Sequence, residues 1–319
     1  MPKKREPLSF DRVRCYPLEE RKSKVRARDF ARPWKAGGTL EQWFNSLPHV
    51  LAGKDLKRVV KRLVEAVRDG RTVILAMGAH GIKVGLGPII VELMERGVLH
   101  AVAMNGAGII HDFELAMSGG TSEDVAAEIG RGRFGMAEET GRFLNSAIKA
   151  GEKEGVGLGT AVGAMMVRED FPHNRWSIVA RAYQLDVPVT VHVALGTDII
   201  HGHPGVDGGA IGRASHLDFR IFAQLVSELN GGVFINLGSA VILPEVFLKA
   251  LSIVRNLGYE VKDLMTVNMD FIRHYRPMMN VVRRPTLEGG EGYNLIGHHE
   301  IMFPLLAACV IEGLSADKA

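Results

Sequence analysis

Short runs of apolar, largely β-branched residues recur along the chain and predict buried strands. Five such runs read TVILAM, HAVAMN, VPVTVHVAL, GVFINL and DLMTVNM, and they begin at residues 72, 100, 187, 232 and 263. Each run is apolar on both faces, and each is separated from the next by a segment long enough for a helix. This arrangement is typical of parallel strands in βα units. We therefore predict an α/β fold with a Rossmann-like, doubly wound and mostly parallel sheet.

Apolar residues at helical spacing occupy the segments around these runs. Residues 40–70 predict two amphipathic helices that end at Gly70. A later segment, LPEVFLKALSIVRNLG, has Pro244 near its first turn and Gly258 at its end, as helices commonly do. Further helices are predicted at VGLGPIIVELMERG, RWSIVARAYQ and SHLDFRIFAQLVSELN. Since no repeat or low-complexity linker interrupts the pattern, we predict a single α/β domain over residues 36–319, preceded by an arm over residues 1–35.

The arm differs from the rest of the chain in its charge. The whole chain has a net charge of +3, yet residues 1–35 contain twelve Lys or Arg and five Asp or Glu, which leaves −4 for the remainder. Such an arm either holds RNA or an acidic partner, or is solvated or docked on a neighbouring subunit. Aromatic residues are not interleaved as stacking on bases requires, so we do not expect a nucleic-acid partner.

Neither a membrane protein nor a protein stabilised by disulfides is expected. The longest apolar runs are broken well before the ~18 residues of a spanning helix, and no apolar leader segment follows the basic start. Only Cys15 and Cys309 are present, so neither a disulfide framework nor a thiolate zinc cluster is expected. We expect a soluble, cytoplasmic protein in which any metal would be held by His and carboxylates.

Glycine-bearing turns follow several of the predicted strands. The turns read MGAHGIKVGLG, NGAGIIHD, GTDIIHGH and LGSA. In doubly wound sheets, ligands bind at the carboxyl ends of the strands, where glycines let backbone N–H groups and helix N-termini approach a phosphate. The turns therefore favour a dinucleotide or another phosphorylated ligand. Tight turns without a ligand remain the alternative, because the first turn does not keep the GxGxxG spacing.

The segment TDIIHGHPGVDGG, residues 197–209, is the densest group of candidate side chains. In one interpretation, His201 and His203 bind a metal ion with Asp198 or Asp207, as in a hydrolase. In a second, Asp198 contacts a ribose or nicotinamide amide, and either histidine moves protons beside a substrate. In a third, the polar side chains only satisfy the loop's own backbone and a subunit contact.

Two further candidates begin helices. His111 follows the NGAG turn and is expected to face a ligand, whereas the neighbouring Asp112 is expected to complete the N-terminal turn of its helix. Glu245 follows Pro244 and is a candidate acid or base. Complementing the helix dipole is the alternative role for Glu245.

Several of these segments together resemble deoxyhypusine synthases. TVILAMGAHGIKVGLGPIIVEL, AVAMNGAGIIHDFELAM, VPVTVHVALGTDI, FINLGSAV and IMFPLLAA occur in the order and at the separations found in that family, from about residue 28 to 310. The resemblance implies a Rossmann-like fold, NAD as the cofactor, and a homotetramer with NAD near subunit boundaries. It also implies an enzyme of transferase type that oxidises spermidine and passes the aminobutyl group through an enzyme lysine imine to a lysine of a translation factor.

The lysine of that family is missing here. Arg283, Arg284 and Pro285 stand where the resemblance places it, and no lysine occurs between Lys262 and Lys318. Arginine stays protonated and is a poor imine former, so the chain is a divergent relative without the lysine-imine step. By the same resemblance, histidine replaces carboxylate at more than one pocket position, which disfavours a polyamine cation.

The turns and the resemblance together indicate an enzyme that binds NAD and transfers a hydride or a group from a small amine or related substrate. A metal-dependent hydrolase using Asp198, His201 and His203, and a non-catalytic ligand-binding relative, are the alternatives. The expected catalytic residues are His111, His201, His203 and Glu245. No metal ligand is assigned. The expected cofactor-binding residues are Gly78, His80, Gly81, Asn105, Gly106, Ala107, Gly108, Asp198, Gly238, Ser239, Thr266 and His298.

Overall fold

Six parallel strands form one sheet in the computed structural model, which describes residues 5–315. The strands are β1 (Val73–Met77), β2 (Ala101–Asn105), β3 (Val189–His192), β4 (Val233–Leu237), β5 (Met265–Asp270) and β6 (Glu291–Ile296). Their order in the sheet is β3-β2-β1-β4-β5-β6, so the chain winds outward from β1 in one direction and from β4 in the other. The predicted α/β, doubly wound fold is thereby confirmed, and every pairing among the six strands is parallel.

Helices cover both faces of the sheet. The helices are α1 (Leu40–Ser46), α2 (Leu51–Arg68), α3 (His80–Lys83), α4 (Gly87–Glu95), α5 (Gly106–Ser118), α6 (Val125–Glu128), α7 (Glu138–Glu154), α8 (Leu158–Glu169), α9 (Ile178–Gln184), α10 (Gly208–Ser227), α11 (Ile242–Asn256), α12 (Tyr275–Pro277) and α13 (His299–Ser315). One face is packed by α2, α4, α5, α7, α8, α9, α13 and the start of α10. The other is packed by the rest of α10, by α11 and by a π-helical turn, Met278–Arg283. Among the described residues, no helix is both long enough and apolar enough to cross a membrane.

The five predicted strands are all present, and the sixth, β6, is not foreseen by the apolar pattern. Its sequence, EGYNLI, is polar and contains glycine, and most of its residues are only half buried at the sheet edge. Besides the backbone pairing with β5, a row of side-chain amides links β6 to the sheet. Asn236 of β4 donates to Asn268 of β5 at 2.8 Å, and Asn268 donates to Asn294 of β6 at 2.8 Å. These three asparagines are in register across the strands, so one row of hydrogen bonds joins the second half of the sheet.

The basic arm lies outside the sheet. Residues 5–28 are exposed, with short 3₁₀ turns at Leu18–Glu20 and Ala27–Asp29. The chain first contacts the domain where Arg32 N–H donates to Ser46 O and His49 N–H donates to Asp29 O. The division of the chain into a basic arm and a single domain stays a prediction. The strands of the described residues form one continuous sheet.

Asp218 of α10 is a carboxyl group that the sequence does not mark as special. Its side chain is fully buried, and one oxygen accepts from Gly159 N–H at 3.0 Å and from Val191 N–H at 2.8 Å. It thereby joins the start of α8 to β3. Burial raises the pKa of Asp218 to about 7, although these backbone hydrogen bonds favour the ionised form.

This raised pKa predicts a specific dependence of stability on pH. Between about pH 4, where Asp titrates in the unfolded chain, and about pH 7, the folded state holds the Asp218 proton and the unfolded state does not. The contribution of Asp218 therefore falls as pH rises through that window and is constant above it. We expect Asp218→Asn, which stays neutral, to gain a few kcal/mol relative to the native chain between pH 4 and 7, measured by urea unfolding.

Asp218→Ala is the matched comparison. It leaves the N–H groups of Gly159 and Val191 without their acceptor, so it should destabilise the fold at every pH. A difference between Asp218→Asn and the native chain that does not change with pH would contradict the assignment.

Candidate functional site

The turns after β1 and β4 meet at the carboxyl edge of the sheet. A Cβ on Gly78, directly after β1, would lie 2.7 Å from Gly238 O, directly after β4. Gly238 has a φ of +65°, and a Cβ there would lie 2.6 Å from the His299 ring. Only glycine fits either position without displacing a neighbour. Because β1 and β4 are adjacent and their chains then leave in opposite directions, this is the crevice in which doubly wound sheets bind ligands.

Helix α5 begins at the same edge, immediately after β2. Asn105 is its N-cap, and the Asn105 side chain accepts from Gly108 N–H at 3.1 Å. A Cβ on Gly106 would overlap the Asp198 carboxylate. The carboxylate of Asp198 therefore lies directly against the first turn of α5, where the helix presents its partial positive charge. Asn105, Gly106, Gly108 and Asp198 are brought together, as the sequence predicts, with Ala107 between them in the same turn.

Asp198 and His201 form a nearly buried pair. Their side chains are 6% and 9% exposed, and His201 Nε2 lies 3.9 Å from Asp198 Oδ2. His201 Nδ1 accepts from the N–H groups of Gly196 and Asp198, at 3.0 and 3.3 Å, so the neutral ring carries its proton on Nε2. Burial raises the pKa of Asp198, and the charges of His201 and His111 act in the opposite direction. His201 Nε2 is buried and has no hydrogen-bond partner among the described residues.

His111, one turn into α5, belongs to the same group. Its Nδ1 lies 2.6 Å from Thr121 Oγ1, which in turn lies 2.5 Å from Glu114 Oε2. Thr140 donates to the other oxygen of Glu114 at 3.1 Å. Glu114, Thr121 and Thr140 were not expected from the sequence, because they come from three separate segments and follow no known motif.

His203 has a different environment from His201. Its Nε2 lies 2.8 Å from Gly135 O, and its ring fills the space that a Cβ on Gly141 of α7 would occupy. The imidazole therefore connects the loop after β3 to the segment before α7. Its role in proton transfer stays a prediction, whereas the contacts with Gly135 and Gly141 give it a packing role.

The two histidines of the HxH pair are thus directed to different partners. His201 lies beside Asp198, and His203 is hydrogen-bonded to a backbone carbonyl of another segment. Throughout residues 5–315, no three side chains of His, Cys, Asp or Glu are grouped so that they could hold a metal ion. The set proposed for a metal-dependent hydrolase, Asp198, His201 and His203, is therefore not assembled as a metal site.

Aromatic side chains line the edge around β1, β5 and β6. His80, at the start of α3, packs against Phe271 with 5.5 Å between ring centroids and against His299 with 5.1 Å. His299 Nε2 lies 3.3 Å from Met269 O, which leaves Nδ1 as a buried acceptor without a partner among the described residues. Burial is the main cause of the lowered pKa of His299. His298, the predicted residue, is largely exposed and stacks on Phe271.

The remaining predicted residues are placed as follows. Gly81 lies in α3 against Met77, and Ser239 Oγ accepts from Leu243 N–H at the start of α11. Thr266 is fully buried at the second position of β5, inside the sheet and four residues before its carboxyl end. Thr266 therefore does not lie at the edge where the other candidates meet.

Glu245 lies on the second face, at the start of α11. Its carboxylate binds Lys249 and accepts from Asn280 Nδ2 at 2.8 Å, and Arg276 Nε lies 3.3 Å away. The hydrogen bond from Lys249 is the main cause of the lowered pKa of Glu245. Glu245 also borders a groove of about 410 Å³ between α10 and α11. Its catalytic role stays a prediction, and its contacts are those of an ion-paired carboxylate in the first turn of a helix.

Comparison with known proteins shows a likeness of fold. No protein-family model and no curated protein matches the chain. A protein assigned as a deoxyhypusine synthase from Entamoeba histolytica is 12% identical, with a TM-score of 0.53 over 88% of this chain and 96% of that one. A conserved protein assigned to the LOR/SDH type from Methanococcus maripaludis S2 is 15% identical, with a TM-score of 0.51 over 83% of this chain and 70% of that one.

A weaker likeness is to AgrE in its ternary complex with ornithine and NAD+, at 14% identity and a TM-score of 0.49 over 82% of this chain and 32% of that one. At such identities the comparisons establish a shared fold, and not membership of the deoxyhypusine synthase family. The resemblance noted in the sequence is supported to that extent.

The position of His203 leads to a prediction about stability. In Gly141→Ala the new Cβ displaces the His203 ring, so we expect a loss of about 1–3 kcal/mol in the free energy of unfolding. Gly212→Ala is the matched control, because Gly212 is also helical and a Cβ there meets nothing within 4 Å. That variant should be neutral or more stable by up to about 1 kcal/mol. Equal effects of the two substitutions in urea unfolding would argue against the packing role.

Proposed function

We propose that the protein is an NAD-dependent enzyme that oxidises a small amine or alcohol without a lysine imine. The observation that carries the proposal is the convergence at one sheet edge of a glycine crevice, a helix N-terminus beside Asp198, and an imidazole at His111. The fold shared with a protein assigned as a deoxyhypusine synthase supports the cofactor, because the sequence resemblance to that family implies NAD, and the histidine chemistry supports proton transfer.

The polar groups at the edge fit a dinucleotide. Gly78, Gly106 and Gly238 have neighbouring protein groups where a Cβ would lie, so the absence of side chains lets the turns after β1, β2 and β4 pack closely at this edge. Two buried ring nitrogens, His201 Nε2 and His299 Nδ1, lack a partner among residues 5–315. One is a donor and the other an acceptor, which suits the mixed polar groups of ribose and carboxamide. When bound there, NAD would supply the acceptor for a hydride from the substrate carbon.

His111 would remove the proton. As the substrate carbon is oxidised, its hydroxyl or neutral amine must lose a proton to form a C=O or C=N bond, and the bare nitrogen of a neutral imidazole can accept that proton. His201 carries its remaining proton on Nε2, so it would donate a hydrogen bond to the substrate heteroatom or to a ribose hydroxyl. Asp198 would accept a hydroxyl hydrogen bond and hold His201 in place.

The transfer chemistry of deoxyhypusine synthases is not part of this proposal. The segment where their lysine is expected contains Arg283 and Arg284, and Arg284 donates to Asn280 Oδ1 at 2.6 Å. A guanidinium held in that way cannot form an imine. We further propose that the substrate is a small molecule and that the protein is cytoplasmic. The homotetramer implied by the sequence resemblance is also part of the proposal.

Calorimetric titration of the full chain with NAD is the first test. We expect one site per chain, and we expect Gly106→Ala to raise the Kd by about tenfold or more, equivalent to about 1.4 kcal/mol, because its Cβ displaces the Asp198 carboxylate. Gly120→Ala is the matched control, since a Cβ there meets nothing within 4 Å. Absence of binding at millimolar NAD would overturn the proposal.

Turnover is tested separately from binding. With a substrate found by screening small amines and alcohols for NADH formation, His111→Gln should retain the NAD affinity and lose kcat by about 10²- to 10⁴-fold. Stoichiometric NAD binding with no oxidation of any amine or alcohol would instead favour the non-catalytic alternative.

A further inference from the structure

The hydrogen bonds behind His111 define the position of its protons. The chain of contacts runs from Glu114 Oε2 to Thr121 Oγ1 at 2.5 Å, and from Thr121 Oγ1 to His111 Nδ1 at 2.6 Å. Glu114 Oε1 separately accepts from the Thr140 hydroxyl at 3.1 Å. Both distances to Thr121 are those of hydrogen bonds, so its single hydroxyl proton serves one neighbour and its lone pair serves the other.

The carboxylate decides which neighbour receives that proton. Burial raises the pKa of Glu114, but the nearby His111 imidazole and the hydrogen bonds from Thr121 and Thr140 more than offset it, so the pKa is lowered and the group is ionised at neutral pH. An ionised carboxylate only accepts hydrogen bonds. The Thr121 hydroxyl must therefore donate to Glu114, and its lone pair must face His111.

Resting on the proposed role of His111, we infer that Glu114 and Thr121 are positioning residues. They hold the proton of the neutral His111 ring on Nδ1 and leave Nε2 as the bare nitrogen that accepts the substrate proton. Neither residue is assigned a contact with substrate. Their effect is to select the tautomer and fix the ring plane, as the carboxylate partner of a catalytic histidine does in other enzymes.

The charged neighbours of His111 come from two segments. Glu114 lies on the same helix, with Oε2 3.6 Å from His111 Nδ1, and Asp198 lies in the loop after β3. Asp198 interacts with His111 through charge, whereas the described hydrogen bond of the ring is the one with Thr121. The tautomer is therefore set by Thr121 and Glu114.

Three substitutions separate this role from simple packing. Thr121→Val keeps the shape and removes the acceptor at Nδ1, whereas Thr121→Ser keeps the hydroxyl and is the matched control. Glu114→Gln should reverse the direction of the hydrogen bonds that join residue 114, Thr121 and His111. Thr140 donates to the amide oxygen, so the NH₂ group faces Thr121 and donates to it. The Thr121 hydroxyl then donates to His111 Nδ1, which moves the ring proton to Nε2.

The test is ¹⁵N NMR of the histidine rings in the full chain without added NAD, at a pH where His111 is neutral. The two ring nitrogens of a neutral imidazole have distinct shifts when protonated and when bare. Loss of signals in His111→Gln assigns His111 among the 12 histidines. We expect a bare Nε2 in the native chain and in Thr121→Ser, a bare Nδ1 in Glu114→Gln, and loss of the single tautomer in Thr121→Val.

A protonated Nε2 in the native chain would overturn the inference, and so would an unchanged tautomer in Glu114→Gln. The native spectrum is sufficient for the first outcome even if a variant does not fold. Where turnover is measured, Thr121→Val and Glu114→Gln should lose kcat by about tenfold or more with unchanged NAD affinity. The NMR measurement needs neither cofactor nor substrate. Failure of NAD binding would therefore overturn the proposed function, while the tautomer of His111 could still be determined.

Discussion

The contact between the Asp198 carboxylate and the first turn of α5 is the constraint on which the site depends. It exists because β2 passes directly into α5 at Asn105, and because residue 106 has no side chain to keep the carboxylate away. Taking a carboxylate out of water is costly, and here the helix N-terminus and the neighbouring His201 reduce that cost. The loop after β3 is thereby held against the helix that carries His111.

Helix α5 is held equally firmly on its other side. Asp112, the residue after His111, is buried and accepts from the hydroxyl of Ser177 and from the N–H groups of Ile178 and Val179, at 2.9 and 3.0 Å for the latter two. It was expected to complete the N-terminal turn of its own helix, but it lies across the start of α9 and satisfies that helix's backbone instead. Adjacent residues of α5 therefore serve different functions, since His111 faces the site and Asp112 anchors the helix.

Buried polar groups hold separate parts of this fold together. The asparagines of β4, β5 and β6 are bonded to one another, and Asp218 accepts two backbone N–H groups. These hydrogen bonds join parts of the sheet and its helices, although burial still raises the pKa of Asp218 to about 7. Among the described residues, His201 and His299 at the carboxyl edge each retain one buried nitrogen without a partner, and Asp218 and Asn236 in the interior each retain one such oxygen. Buried polar atoms without a partner are therefore found both at the edge and in the interior.

The sequence by itself determined five of the six strands and the glycine-bearing edge at which the candidate site is proposed. Apolar runs of strand length with helical segments between them require burial on both faces, so these elements could be predicted. Strand β6 could not, because its sequence is polar and it joins the sheet through pairing with β5 and the contact of Asn294 with Asn268, which are contacts between distant segments.

Only the tertiary structure decided which polar residues work together. His201 and His203 are two positions apart, yet one lies beside Asp198 and the other packs against Gly135 and Gly141. Glu114 and Thr121 meet behind His111 because α5 ends and the chain turns back there. Spacing along a chain indicates a shared face in a regular helix or strand, but in a loop the direction of each side chain is set by what the rest of the fold places around it.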